Sequence, residues 1–480
     1  MFSSLNPRTK LIALFSFLAV LLVLHSFYAS VGQEHLAIEI PPPVEPSTPT
    51  CTPQEVDLRK NVTSPGEDLD AKYGPTKQLV GAPTAKASDN LRKDRRYVTS
   101  GIKGGFTNQY INLIHIIYLG MQSDRTPIIP PFAPDDHIPH EAGIVQFGDL
   151  FNLTTLRKQV RTPLVEWSDV KILPNQDTPW EDIEKGRQLE TIGCWSARPQ
   201  HEHIPWTSGY LVRYLGMDTS YTRVPNSARR WPTEKIDIHV TFGALSALVN
   251  SQTYGNQQSS LMSSSPILQA ALEPNTQLAC FDLLYYATSS DVGYEWQSDW
   301  TPAWKFVGQY ARFTSSIVRL TMGYVKHAFD IQRELPPFIA VHIRRGDFKD
   351  HCEPGYAPHA CLAPLSAYIR RAEEVRQELH TRGILVGPTD VFVTSDEEDP
   401  AFWNEVKAQG WKFIDHSEEL TVQKFNKWYP PIIDIVGQSL AIGFVGTDRS
   451  TVSMVSKRRV EEWNGGVSRM VKWGRPGADD

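Results

Sequence analysis

From Pro336-Pro337 to the C-terminus, short apolar runs alternate with amphipathic stretches, and this alternation restricts the chain more than any other feature. Residues 338–343 form a near-continuous apolar run that predicts a buried strand. The pattern then predicts a helix over 364–379, with its proline in the first turn, a strand over 390–393, a helix over 400–408 and a strand over 411–414. A helix over 432–440, a strand over 443–445 and a helix over 450–463 complete the series. Strands in alternation with helices imply a parallel, doubly wound α/β sheet. Earlier in the chain, 97–99 reads as a short strand and a helix opens near Thr107, with Ile111, Ile114 and Tyr118 on one face. Residues 126–130 read as a further extended piece. The stretch 165–300, rich in Trp, Ser, Gln and Pro, shows no clean periodicity. Two α/β halves with a cleft between them suit a length of 480 residues.

The N-terminus reads as an address. Residues 11–29 are apolar apart from Ser16, His25 and Ser26, close to the ~20 residues a helix needs to cross the hydrocarbon core. Arg8 and Lys10 precede the run, and no Lys or Arg follows until Arg59, which predicts a cytosolic N-terminus and a lumenal body. A signal anchor over 11–29 is preferred to a cleavable signal peptide ending near Ala29-Ser30. Residues 1–10 are then a cytosolic tail and 30–90 a stem, since nine of the 35 prolines fall between Pro41 and Pro83. The remainder divides into lobes at 91–330 and 331–480. Asn61-Val62-Thr63 and Asn152-Leu153-Thr154 are acceptor sequons that suit a lumenal location, expected to be the Golgi or endoplasmic reticulum.

Cysteine usage fits an oxidising compartment. Cys352 and Cys361 are close enough to staple one loop, and Cys194 with Cys280 offers a second pair, leaving Cys51 odd. Three connectivities of the four body cysteines stay open. With 48 basic against 54 acidic residues and no long basic run, a dedicated nucleic-acid binder is excluded.

Four segments carry chemistry. In Val341-His342-Ile343-Arg344-Arg345-Gly346-Asp347-Phe348 an apolar strand ends in a charged cluster, where α/β sheets bind ligands. His342 and Arg344 share one face of the strand and Arg345 takes the other. A guanidinium there suits a phosphate, with a salt bridge to Asp347 as the plainer reading. Phe444-Val445-Gly446-Thr447-Asp448-Arg449-Ser450-Thr451 is a strand, a turn and a Ser/Thr-headed helix, whose N-terminus can hold an anion or simply be capped by Ser450. Gly104-Gly105-Phe106-Thr107-Asn108-Gln109 is a glycine turn opening a helix, neither a dinucleotide fingerprint nor a P-loop. Thr394-Ser395-Asp396-Glu397 ends another strand as a polar turn. The sequence has no H-E-x-x-H, no G-x-S-x-G and no C-x-x-C, and its D-x-D triplet, Asp68-Leu69-Asp70, lies in the stem.

The first three segments, in chain order 104–109, 342–347 and 444–451 over about 350 residues, resemble the GDP-fucose protein O-fucosyltransferase family. Its G-x-F-x-N-Q loop, H-x-R-x-G-D strand end and F-[IV]-G-x-x-x-S-[ST] turn stand here at 104–109, 342–347 and 444–451. Asp434 matches an Asp ten residues before the turn's Phe. The resemblance implies a GT-B fold, two Rossmann-like lobes with GDP-fucose in the cleft, the C-terminal lobe holding the donor and the N-terminal lobe the acceptor. It also implies an inverting, metal-independent transfer of fucose to a protein hydroxyl or a glycan, with no cofactor. Catalytic roles fall to Arg344 and His342, and donor binding to Gly104, Gly105, Asn108, Arg344, Asp434, Ser450 and Thr451. Gly105 stands where some members carry Arg, and Val452 where some carry an aromatic. The general base has no match. A polysaccharide acceptor is a second expectation, and a lumenal protein that binds nucleotide sugar or glycan without turnover a third.

Overall fold

The computed structural model describes residues 72–480 except 136, 187, 198–207, 230–238, 252–261, 290–300 and 358. The expected tail, membrane anchor, most of the stem, Cys51 and Asn61 lie outside these residues. Among the described residues no helix is long and apolar enough to cross a membrane. Asn152 is exposed and caps the helix Leu153–Val160 through its carbonyl oxygen.

The first sheet contains β1 (Tyr97–Ser100), β2 (Thr126–Ile129), β3 (Val165–Glu166), β4 (Glu190–Ser196), β5 (Met217–Arg223), β7 (Met262–Ser263) and β8 (Leu278–Phe281). Its order is β3-β2-β1-β8-β4-β5-β7, parallel except for β7 against β5. A parallel pair, β6 (Val240–Thr241) and β9 (Ala287–Thr288), stands beside it. The second sheet, all parallel, has the order β11-β10-β12-β13, from β10 (Ile339–Ile343), β11 (Val391–Ser395), β12 (Gly443–Thr447) and β13 (Val467–Val471). The alternation after Pro337 has thus produced the α/β sheet it predicted. The helices that serve the site are α1 (Phe106–Ser123), α2 (Ser315–Ala328), α3 (Leu365–Thr381), α4 (Pro400–Ala408), α5 (Tyr429–Ser439) and α6 (Thr451–Asn464).

The two sheets share a core. Phe106, Phe132, Trp428, Ile432, Val436, Met454 and Val455 belong to one buried cluster, so α5 and α6 pack their apolar faces against elements of the first sheet. At the end of α6, Arg459 is fully buried with its guanidinium over the rings of Tyr110 and Phe313, at 4.8 and 4.6 Å. Aromatic faces replace the carboxylate that a buried cation would otherwise need.

Three expectations need correction. Residues 72–90 belong to the folded body and not to the stem: Leu79 and Ala87 are buried in a cluster with Tyr97 and Trp167, and the Tyr97 hydroxyl donates to the Gln78 carbonyl. Glu190 accepts from the N–H groups of Ala87 (2.8 Å) and Ser88 (3.2 Å), which fastens that segment to β4. Pro75 there opens the short helix Pro75–Gln78. The division at 330 also shifts, because α2 serves the second sheet: Val325 and Phe329 pack with Phe338, Phe392 and Phe444. The strand expected at 411–414 is a single bridge from Lys412 to Phe392. The chain leaves the sheet because the Asp415 carboxylate accepts from the N–H groups of Ser417 and Glu418, closing a turn.

Both disulfides offered by the spacing are formed, Cys194–Cys280 between β4 and β8 and Cys352–Cys361 within the loop after β10.

Candidate active site

In the second sheet, His342 of β10 lies level with Thr394 of β11 and Gly446 of β12. The carboxyl ends of the three strands therefore bring Arg344, Asp396 and Thr447 together. Thr447 fastens the turn after β10: its hydroxyl accepts the Arg344 N–H at 2.8 Å and donates to the His342 carbonyl at 3.1 Å. Tyr368 of α3 holds the same hydroxyl at 2.8 Å.

The two arginines diverge as strand alternation requires. Arg345 turns to Glu397 at 2.6 Å and lies over Phe402. Arg344 pairs with Asp347 and Asp396, each at 2.8 Å, with its side chain 18% exposed. Asp396 uses its other oxygen to accept the Arg345 N–H at 2.8 Å. Gly346 permits this approach, since a Cβ there would stand 2.5 Å from the Asp396 carboxylate. Arg344 also reaches out of the second sheet's elements, to Nε2 of His137 at 3.2 Å.

His342 is buried, and its Nδ1 lies 2.7 Å from the Ser453 hydroxyl, which also accepts the Thr447 N–H at 2.9 Å. It therefore braces the turn between β12 and α6, whereas the resemblance implied a residue lining the pocket. Burial, aided by the Arg344 charge and opposed by Asp396, holds its pKa down at about 4. An unfolded histidine titrates near 6.5. Between those values the unfolded chain takes up a proton that the folded chain refuses, so stability falls as pH drops from 6.5 toward 4. His115, buried beneath the Leu284 carbonyl, shifts the same way. Urea unfolding of H342Q is expected to show a shallower loss of stability over this window than the wild-type chain, by up to one proton in the slope. An unchanged slope would mean that His342 is not held neutral.

At the head of α6, Ser450 is the N-cap and accepts the Ser453 N–H at 3.3 Å. Thr451 donates to the Asn108 side-chain oxygen at 2.8 Å, which joins α6 to α1. The glycine turn is sutured from within. Gly104 has φ +88°, a left-handed conformation that costs glycine little. Its N–H donates to Asp135 at 2.5 Å, and its carbonyl accepts from Gln109 at 2.7 Å. Gly105 follows as the N-cap of α1, and a Cβ on it would stand 3.4 Å from the His137 ring. Beside the turn lies a cavity of about 350 Å³, lined in part by Lys103, Asp135, His140, Tyr210, Arg213 and Tyr214.

Arg344, Ser450, Thr451, Asn108, Gly104 and Gly105 are thus brought together through direct or bridging contacts. Asp434 joins a different group: it pairs with His416 Nε2 at 3.2 Å, and the other nitrogen of that ring meets Thr421 at 3.0 Å. Val452 packs against the core. The reading of the sequence missed Asp396 as the partner of both arginines, and also Thr447, Ser453 and His137. Asp396 was legible as a polar residue ending a strand, and Ser453 stands three residues after a cap. His137 carries no local signal. Among the described residues, no three His, Cys, Asp or Glu side chains gather in a way that could hold a metal ion.

A family model for GDP-fucose protein O-fucosyltransferases matches residues 97–462. No curated protein matches the chain. Similar solved structures include POFUT1 with GDP-fucose, 15% identical over 80% of this chain and 99% of that one, with a TM-score of 0.48. POFUT1 with GDP is 16% identical over 79% and 98%, with a TM-score of 0.47. The α-1,6-fucosyltransferase NodZ co-crystallized with GDP is 11% identical over 80% and 96%, with a TM-score of 0.36. Since the matched segment runs from β1 almost to the end of α6, and so contains every element that meets at Arg344 and Thr451, the chain belongs to the GDP-fucose protein O-fucosyltransferase family.

Proposed function

We propose that this chain is an inverting, metal-independent fucosyltransferase, moving fucose from GDP-fucose to a hydroxyl of a protein or glycan. The observation that carries the reading is that Arg344, at the end of β10, is tied through Thr447 to Ser453 of α6, whose first residue bonds Asn108. The N-terminus of α6 offers N–H groups and a positive dipole end to a diphosphate. Arg344 stands ready for the phosphate next to the sugar. Asp396 is pinned by the Arg345 N–H, so Asp347, 45% exposed, is the partner that a phosphate displaces.

As the bond from the anomeric carbon to the phosphate oxygen breaks, negative charge grows on GDP. Preorganised donors at that oxygen stabilise the transition state more than the ground state. Arg344 and the helix N-terminus supply this without a metal. In this reading the body is GT-B-like, with residues 331–480 and α2 forming the donor lobe and Asp434 facing the guanine. Residues 11–29 anchor it in a Golgi or endoplasmic reticulum membrane as a type II protein.

The test is release of GDP from GDP-fucose by the full chain in detergent with EDTA present. The reading predicts release at the same rate with and without the chelator. Release that requires added divalent cation would overturn the metal-free mechanism. Donor binding without any turnover, acceptors included, would mark a binding protein.

A further inference from the structure

Inversion in a single displacement requires a group to take the proton of the acceptor hydroxyl, and neither the motifs nor the family reading supplied one. His137 is the candidate that the contacts of Arg344 single out. It comes from the loop after β2, is exposed, and sets its Nε2 3.2 Å from the Arg344 guanidinium. A guanidinium has hydrogens to give and no lone pair to offer. In this contact the guanidinium is therefore the donor and Nε2 the acceptor.

Of the other titratable side chains around Arg344, Asp396 is held by both arginines, Glu397 by Arg345 and His342 by Ser453. Asp347, which the phosphate also frees, is the competing candidate that the H137Q variant tests. Asp135 accepts from Gly104 and pairs with Lys103 at 2.9 Å. The loop is positioned as well: the Ile138 N–H donates to the Asp135 carbonyl at 3.1 Å, and the His137 ring lies against Gly105. The cavity lined by Lys103, Asp135 and His140 lies beside the same turn.

We propose that His137 is the general base of the transfer, an inference that rests on the fucosyltransferase reading. When a donor phosphate takes the Arg344 hydrogens, the Nε2 lone pair is released toward the acceptor. The acceptor oxygen forms its bond to the anomeric carbon and its proton passes to Nε2. The bond from that carbon to the phosphate oxygen breaks, and its electron pair leaves with GDP beside Arg344.

The experiment uses the full chain with GDP-fucose, water as the acceptor, and sodium azide as an anionic nucleophile with no proton to lose. H137Q is expected to bind GDP-fucose within about twofold of the wild-type affinity, which also reports that it folds. Its GDP release should fall by about 10²-fold or more, and azide should restore it, with fucosyl azide as the product. Wild-type turnover in H137Q, or a deficit that azide does not relieve, would overturn the assignment. A wild-type chain that binds no GDP-fucose would instead overturn the fucosyltransferase reading, and the base along with it.

Discussion

Arg344→Ala is expected to lower GDP release from GDP-fucose by about 10²–10³-fold, the usual cost of deleting one preorganised donor at a developing oxyanion. The geometry accounts for the size of the effect. Arg344 is held from both sides, its backbone by Thr447 and its side chain by Asp396, so only its contacts to Asp347 and His137 change when the phosphate arrives. The variant should fold normally, because Asp396 keeps the Arg345 N–H and the lost side chain lies at the surface of the site. Arg344→Lys keeps the charge but loses the planar fork, and an intermediate rate is expected. The measurement is initial-rate GDP release, with thermal unfolding of each variant beside it. An alanine variant within tenfold of wild type would remove Arg344 from the mechanism.

The second large effect concerns stability. Replacing Cys194 and Cys280 together with alanine is expected to cost about 4–5 kcal/mol, since the bond closes a loop with a sequence separation of 86. It also joins β4 to β8, which are neighbours in the middle of the first sheet. Removing Cys352–Cys361, with a separation of 9, is expected to cost about 2–3 kcal/mol. Thermal and urea unfolding of the two double variants should rank them in that order. Equal losses, or the reverse order, would contradict the loop-closure account.

What the sequence made legible follows from how each sheet is buried. β10, β11 and β12 are short apolar runs separated by amphipathic helices, and the periodicity located all three within a residue or two. β5 defeats the same reasoning because it buries Asp218, Thr219 and Ser220. Asp218 and Ser220 are tolerated inside because distant loops satisfy them: Asp218 accepts the Leu268 N–H at 2.6 Å, and Ser220 donates to the Leu272 carbonyl at 2.9 Å. No local pattern foretells partners about fifty residues away.

The site divides along the same line. Arg344, Ser450 and Thr451 lie in motifs whose physics is local, a strand end and a helix N-terminus. Ser453 and Thr447 were hidden by being ordinary polar residues whose importance comes from the turn they close. His137 lies 207 residues from Arg344 in sequence, and only the fold brings the two together. Asp434, chosen by spacing from a motif, pairs with His416, a partner that the spacing did not foretell.

The measurement that bears most directly on the central claim, that the end of β10 and the head of α6 form one donor pocket, is calorimetric titration of the full chain with GDP-fucose in EDTA. Wild type, Arg344→Ala and Thr451→Val are compared. The account predicts saturable binding at one site per chain, weakened in both variants, since one touches the phosphate and the other ties α6 to Asn108. Absence of binding by the folded wild-type chain, or affinity unchanged in both variants, would contradict it.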